Sequence, residues 1–259
     1  MGAGPSVNLA MLRSSPARIA IIIQARMNSS RLPGKVLLPL PMGGNTTVLG
    51  HVVARARQLA NEQLVIVATS TLAADDVLTA AAQHLSVEVF RGDEEDVLGR
   101  FVGALTQHNA DVIVRITADN PAIDPAFMRA VVAHHLAMQA DFTVTTGLPL
   151  GTNIEVMNAA ALRRAATEAT HPEEREHVTP YLRRHPELFR FSSLPLVVPP
   201  AVAGLRLTLD YPSDYALLHL LYSQLPADFS LTDPAGLPAL VSQYPWLTNI
   251  NNQNIQVLP

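Results

Sequence analysis

The chain has 259 residues, 48% of them hydrophobic and 15% charged, with a formal net charge of -4. That length suits one large α/β domain, and the composition sustains a sizeable core and excludes disorder. The acidic balance argues against a nucleic-acid or membrane-surface binder, and the absence of cysteine excludes disulfides, thiolate catalysis and cysteine-held metals.

Residues 1–17 are small, polar and aperiodic and read as a flexible leader, with Met11 an alternative start. Ile19 to Ile23 is a short β-branched run, too short for a signal or membrane segment, and reads as a buried parallel strand. A cytoplasmic location fits both this and the missing cysteines. Val48, Leu49, Val52, Val53, Ala56 and Leu59 recur at helical spacing, with Thr46 or Thr47 as cap. Strand Leu64 to Ala68 follows, then a helix from Ala74 to His84 with Asp75 and Asp76 in its first turn. Strand Val87 to Phe90, helix Val97 to Thr106 and strand Val112 to Ile116 continue the alternation. Pro125 then opens a helix capped by Asp124.

Four strand–helix alternations imply a parallel sheet covered on both faces, a three-layer α/β/α arrangement. The second half is less regular. Strands are expected at Asp141 to Thr145, Ile154 to Met157 and Leu205 to Leu209. Helices are expected from Asn158 as cap to Thr170, from Pro172 to Arg184, and from Pro212, with a loop over Leu194 to Pro200. No clean linker appears, so residues 18–259 read as one domain with a subregion inserted at about 141–204.

In such sheets, ligands lie at the carboxyl ends of strands. The segment directly after the first strand, Gln24 to Lys35, holds three cations, small polar residues and a Pro-Gly turn. That mixture suits phosphate oxygens. It is neither a Walker loop nor a dinucleotide fingerprint, and a plain solvated turn is the alternative. Its length favours function. All but one of the 18 basic residues are arginine, and the exception, Lys35, lies in this segment. A compact ammonium is needed there, or its survival is chance.

The run Ile-Ile-Gln-Ala-Arg-Met-Asn-Ser-Ser-Arg-Leu-Pro-Gly-Lys-Val-Leu resembles the opening of the cytidylyltransferase family, which includes the CMP-sialic acid and CMP-KDO synthetases and the SpsF-like proteins of spore coat polysaccharide biosynthesis. Further stretches fit in order, notably 67–70, 90–100, 114–125, 175–181 and 205–214, and the SpsF-like branch is the nearest. The resemblance implies a nucleotide-diphospho-sugar transferase fold, Rossmann-like and GT-A-like, with a mostly parallel sheet. It also implies Mg²⁺ dependence, a homodimer, and transfer of CMP from CTP to a sugar acid or other small anionic acceptor, with release of pyrophosphate, for surface polysaccharide biosynthesis.

Site residues follow from the same resemblance. Gln24, Ala25, Arg26, Ser29, Ser30, Arg31, Lys35, Arg91 and Thr117 correspond to nucleotide contacts, and Ala68, Thr69 and Ser70 lie where the family holds the base. Arg26, Lys35, Asp119 and Asp210 correspond to the catalytic set. Glu155, Arg175, Glu176 and His177 correspond to the acceptor pocket, which with the dimer contact occupies the 141–204 subregion.

Asp119 and Asp210 each follow an expected strand, so they are suited to a hard cation, or to a turn before Pro121 and a cap before Pro212. On the residues alone these readings stand level; the resemblance makes both aspartates metal ligands. Asp214 reads as a helix-terminus stabiliser, and Asp93 to Asp96 as a solvated helix start. His134 and His135 are adjacent and so face different ways on a helix. His177 is a base or a structural histidine.

Four departures from the family pattern are Ala118-Asp119-Asn120-Pro121, Thr152-Asn153-Ile154-Glu155, Asp210-Tyr211-Pro212-Ser213-Asp214 and Asn28 in place of glycine. They leave Lys35, Asp119 and Asp210 intact and put the acceptor's identity in question. The rival readings are a glycosyltransferase of related fold, whose Asp-x-Asp motif Ala118-Asp119-Asn120 does not supply, and a non-catalytic nucleotide binder.

Overall fold

The computed structural model describes residues 17–59 and 64–256. The leader expected at 1–17 falls, Ala17 apart, outside the described residues. The strands are β1 (Ile19–Gln24), β2 (Leu64–Ser70), β3 (Glu88–Gly92), β4 (Val112–Thr117), β5 (Phe142–Thr146), β6 (Glu155–Asn158) and β7 (Phe191–Pro195). They form one seven-stranded sheet in the order β3-β2-β1-β4-β6-β5-β7. β6 pairs antiparallel with both β4 and β5, and the other pairings are parallel.

The helices are α1 (Val48–Ala56), α2 (Asp76–His84), α3 (Val97–Gln107), α4 (Pro125–Ala137), α5 (Ala159–Glu168), α6 (Pro172–His177), α7 (Pro180–Arg184), α8 (Pro200–Ala203), α9 (Pro212–Gln224) and α10 (Leu237–Gln243). Successive β1 side chains point to opposite faces, and both faces are covered. Ala20 and Ile22 pack with Phe101 of α3 and Leu162 of α5. Ile21 and Ile23 pack with Val52 of α1, Leu78 of α2 and Met128 of α4. A third cluster, under α8, α9 and α10, takes Leu205, Leu207 and Leu209.

The expected termini are largely those observed. Thr47 caps α1 through Gly50 N, and the Asp124 carboxylate caps α4 through Ala126 N with Pro125 at the first turn. Four expectations are corrected. Leu205 to Leu209 is not a sheet strand. Arg206 makes a single bridge to Leu150, and the Leu207 and Leu209 N–H groups go to Leu150 O and Asp119 O. The alternating leucines bury into the third cluster instead.

The helix expected from Pro172 to Arg184 is two, because Val178 takes φ +69° and Pro180, lacking an N–H, opens α7. Residues 194 and 195 are the end of edge strand β7, where proline is tolerated; its alternately exposed FSSLP carries little apolar signal. Asn158 precedes α5 but does not cap it, since its amide donates to Ala140 O and its Oδ1 meets His135.

The chain lays down β1, β2 and β3 outward, then returns to place β4 on the other side of β1. A crevice opens at the carboxyl ends where strand order reverses. It lies between Gln24, which ends β1, and Thr117, which ends β4.

Candidate active site

The segment after β1 is pinned at both ends. Ala25 N donates to Ala68 O, and Gly34 N reaches back to Met27 O. Gly34 sits at φ +70°, the left-handed region that favours glycine, and turns the chain so that Lys35 begins a short 3-10 turn. Midway, Met27 N donates to Asp75 Oδ1 at 2.7 Å. Asp75 also accepts from the Thr69 hydroxyl, the Ser70 N–H and the Ser70 hydroxyl. Burial works to raise its pKa, but the hydrogen bonds from Ser70, Met27 and Thr69 outweigh it and hold the carboxyl below its ordinary range.

Lys35 and the two strand-end aspartates meet. Lys35 Nζ lies 2.6 Å from Asp119 Oδ2 and 2.9 Å from Asp210 Oδ1. Leu209 N donates to Asp119 O, which is what brings Asp210 beside Asp119 without a sheet strand. The Thr117 hydroxyl fixes the other oxygen of Asp119 at 2.6 Å. Asp210 is also held by Arg31 and by Arg206, each at 2.9 Å. Burial opposes the Lys35 charge, yet Asp119 and then Asp210 raise its pKa above the ordinary lysine value. Burial likewise opposes ionisation of Asp119, while Lys35 and Thr117 pull its pKa down. Each of Lys35 and Asp119 thus favours its charged form in the presence of the other.

A cleft of about 210 Å³ opens over this cluster. Its walls are Gln24 to Arg26, Asn28 to Arg31 and Lys35 from the first segment, Thr117 to Asp119 from the end of β4, and Asp210. Arg26 makes no hydrogen bond or ion pair with any described residue. Two carboxylates converge here and no group of three or more potential metal-holding side chains occurs among the described residues. That donor set fits a hard divalent cation that takes its remaining ligands from water and phosphate.

The residues matched to the acceptor pocket separate into two recesses. Glu155 and His177 line one, with Arg115, Thr179 and Arg183. Glu155 accepts from Arg115 and Arg183, each at 2.5 Å, and from the Thr179 hydroxyl at 3.1 Å. Burial works to raise its pKa, but Arg115 and Arg183 prevail and lower it. Arg115 also donates to Gln24 Oε1 at 2.9 Å, linking this recess to the phosphate-like cleft. The strained backbone of Val178 is what presents both His177 and Thr179 to the recess.

Arg175 and Glu176 line the other recess, beside Arg26 and the acidic run Asp93 to Asp96. Arg175 is engaged in structure: it donates to Ala166 O, Ala169 O and Asp96. Asp96 is also the cap of α3, and Asp214 accepts from Asp210 N and Tyr211 N. Ala68, Thr69 and Ser70 are fully buried, with both hydroxyls on Asp75. Arg91 donates to Ser70 O and Leu72 O and pairs with Asp76. These four residues stand outside the walls of the cleft.

Sequence reasoning passed over Arg115, Thr179 and Arg183. Arg115 carried a usable signal, a lone charge inside the apolar run of β4. Thr179 and Arg183 carried none, because their placement depends on the break at Val178.

A family model described as cytidylyltransferase matches residues 20–222. The spore coat polysaccharide biosynthesis protein SpsF of Bacillus subtilis is 39% identical over 211 residues, covering 80% of this chain and 87% of its own. A cytidylyltransferase from Leptospira borgpetersenii superposes with a TM-score of 0.80 at 31% identity, over 94% of this chain and 100% of that one. CMP-2-keto-3-deoxy-manno-octonic acid synthetase, solved with CTP, superposes at 0.62 with 18% identity, over 80% of this chain and 99% of that one, a likeness of fold. The seven-stranded, mostly parallel sheet between helical layers is thus the Rossmann-like nucleotidyltransferase fold.

Proposed function

We propose that this chain, which belongs to the cytidylyltransferase family, transfers CMP from CTP to a small acidic or phosphorylated acceptor and releases pyrophosphate. The observation that carries this reading is the convergence of Arg26, Arg31 and Lys35 with Asp119 and Asp210 on one cleft at the strand-order reversal. Three cations and a backbone loop suit a triphosphate, and two carboxylates on the same floor suit its cation. The CTP carried by the octonic acid synthetase supports cytidine as the nucleoside. The spore-coat relative supports a glycan building block as the acceptor's class.

In this reading Arg26 and Arg31 hold the β- and γ-phosphates, and the Lys35 ammonium neutralises charge that builds as pyrophosphate departs. An acceptor oxygen attacks the α-phosphorus in line from the Glu155–Arg183 recess, and the bond from the α-phosphorus to pyrophosphate breaks. Little covalent work falls to the protein, since positioning and fixed charge dominate phosphoryl-type transfer. Asp119 and Asp210 are the residues that would hold Mg²⁺, which when bound supplies Lewis-acid polarisation of phosphate oxygens. Lys35 is the partner that the two aspartates have in common, so the ammonium and the cation would share one acidic seat.

The test is pyrophosphate release by purified protein with CTP, Mg²⁺ and a panel of sugar acids, phosphorylated sugars and phosphonates. Release dependent on one acceptor class is expected. CTP binding without release across the panel would leave a non-catalytic binder instead.

A further inference from the structure

Three cations hold Asp210, and they are not equivalent. Its Oδ1 accepts from Lys35 and Arg31, both on the wall of the cleft, each at 2.9 Å. Its Oδ2 accepts from Arg206 Nη2 at 2.9 Å. Arg206 is buried and stands outside the cleft walls, whereas the Arg31 side chain is 31% exposed. In the CTP reading, Arg31 and Lys35 serve the phosphates. With nucleotide seated, Arg206 is then the cation still committed to Asp210.

The Arg206 guanidinium is itself fixed at all three nitrogens. Nε donates to Asp214 Oδ1 and Nη1 to Gln256 Oε1, each at 2.9 Å, while Nη2 takes Asp210. Asp214 is fully buried and anchors the arrangement. Its Oδ2 accepts from Asp210 N and Tyr211 N, and its Oδ1 also accepts from the Asn251 and Asn254 amides at 2.8 Å. Asn251, buried as well, donates to Arg206 O at 2.9 Å. The same segment, residues 251–256, reaches Tyr211, whose hydroxyl donates to Ile255 O, and Ser213, whose hydroxyl accepts from Asn254. Tyr211 and Ser213 both belong to one of the departures from the family pattern, and the segment lies beyond residue 222, where the family match ends.

Resting on the CTP reading above, we propose that Arg206 is a positioning residue for the transfer. It holds one oxygen of Asp210 so that the other stays aimed at the cleft, and residues 251–256 are the clamp that holds Arg206. A planar guanidinium presents donors in fixed directions and so serves Asp210, Asp214 and Gln256 together; a lysine keeps the charge but lacks the fork. A carboxylate tied at one oxygen cannot turn away when Lys35 and Arg31 move their charge to phosphate. The segment thereby completes the active site without touching the nucleotide.

Calorimetric titration of wild type, Arg206→Lys, Gln256→Ala and the double variant with CTP tests this, once with Mg²⁺ and once with a chelator in its place. Thermal melting and the rate of pyrophosphate release are measured on the same proteins. Wild type is expected to bind CTP more tightly with Mg²⁺ than without. Arg206→Lys is expected to lose roughly tenfold of that gain, to keep its metal-free CTP affinity within about twofold, and to release pyrophosphate roughly ten- to hundredfold more slowly. Gln256→Ala, at an exposed position, is expected to move the same quantities the same way by roughly threefold, and to add nothing to Arg206→Lys, because both act on one guanidinium. An equal loss of CTP affinity with and without Mg²⁺ in Arg206→Lys, or an unchanged Mg²⁺ gain beside a lower melting temperature, makes Arg206 a structural residue and overturns the proposal. A Gln256→Ala protein that matches wild type throughout, or whose loss adds in full to that of Arg206→Lys, overturns the clamp. In those cases the CTP reading stands if wild type binds CTP. A wild type whose CTP affinity ignores Mg²⁺ overturns the proposal and leaves the CTP reading; one that binds no CTP overturns both.

Discussion

Lys35 sits between two carboxylates with its side chain 9% exposed, in a chain that uses arginine at every other basic position. A buried ammonium is stable only where its partners outweigh desolvation, and Asp119 and Asp210 do so. Its point charge suits a spot where two aspartates approach from different segments at 2.6 and 2.9 Å. A guanidinium is larger and planar, and cannot take that position without moving one of them. Lys35→Arg is therefore expected to lower the rate of pyrophosphate release by roughly ten- to hundredfold, the cost of a shift of about an ångström at a reacting centre. An unchanged rate would mean that the one surviving lysine is an accident of composition. The composition made Lys35 legible as a singular residue. That it binds the two candidate metal aspartates was not legible, because Asp210 reaches it through a backbone bond from Leu209 to Asp119 that no periodicity encodes.

At the scale of elements, caps and strands were legible wherever the local signal and the packing agree. The cap of α4 is the clearest case, since Asp124-Pro125 is a local signature and the helix begins there. The same carboxylate does a second, non-local job. Its Oδ2 accepts from Leu231 N at 2.9 Å and from the Ser230 hydroxyl at 2.7 Å, tying the C-terminal part of the chain to α4. Asp124→Ala removes a cap and leaves the buried Leu231 N–H without a partner. A loss of about 2–4 kcal/mol is expected, or roughly 5–15 °C in melting temperature. Calorimetric melting measures this, and a loss under about 1 kcal/mol, no more than a cap alone, would show that the second tie is weak. Where the local signal and the packing part, the sequence misleads. Leu205 to Leu209 alternates like a strand because both environments, a sheet and the cluster under α9, take an apolar side chain at every second position. Edge strand β7 is the reverse case, held by pairing to β5 over an exposed and polar surface.

The whole molecule distributes recognition along one edge of the sheet. The ends of β1 and β4, with Asp210, carry the phosphate-type cleft, and the parallel units from β1 to β4 are the part whose order follows from short right-handed connections. The half that adds β5, β6 and β7 reverses one strand, and it brings Arg115, Glu155 and Arg183 together from β4, β6 and α7. Nothing local in the chain announces that meeting. Arg183 is half exposed, and Glu155 takes only its NH2 group. Arg183 also lines the recess where the acceptor's anion is proposed to sit, apart from the Lys35 cluster. Arg183→Gln is accordingly expected to raise the acceptor KM by roughly tenfold or more, the value of one charge-assisted hydrogen bond, while CTP affinity stays within about twofold. Arg115 and Gln24 join the two recesses, so a defect that spreads to CTP measures how tightly that link couples them. Steady-state kinetics with a varied acceptor, set beside CTP titration, separates the outcomes. A parallel loss of CTP affinity would mean that the two recesses act as one site; an unchanged acceptor KM would move the acceptor's anion away from Arg183.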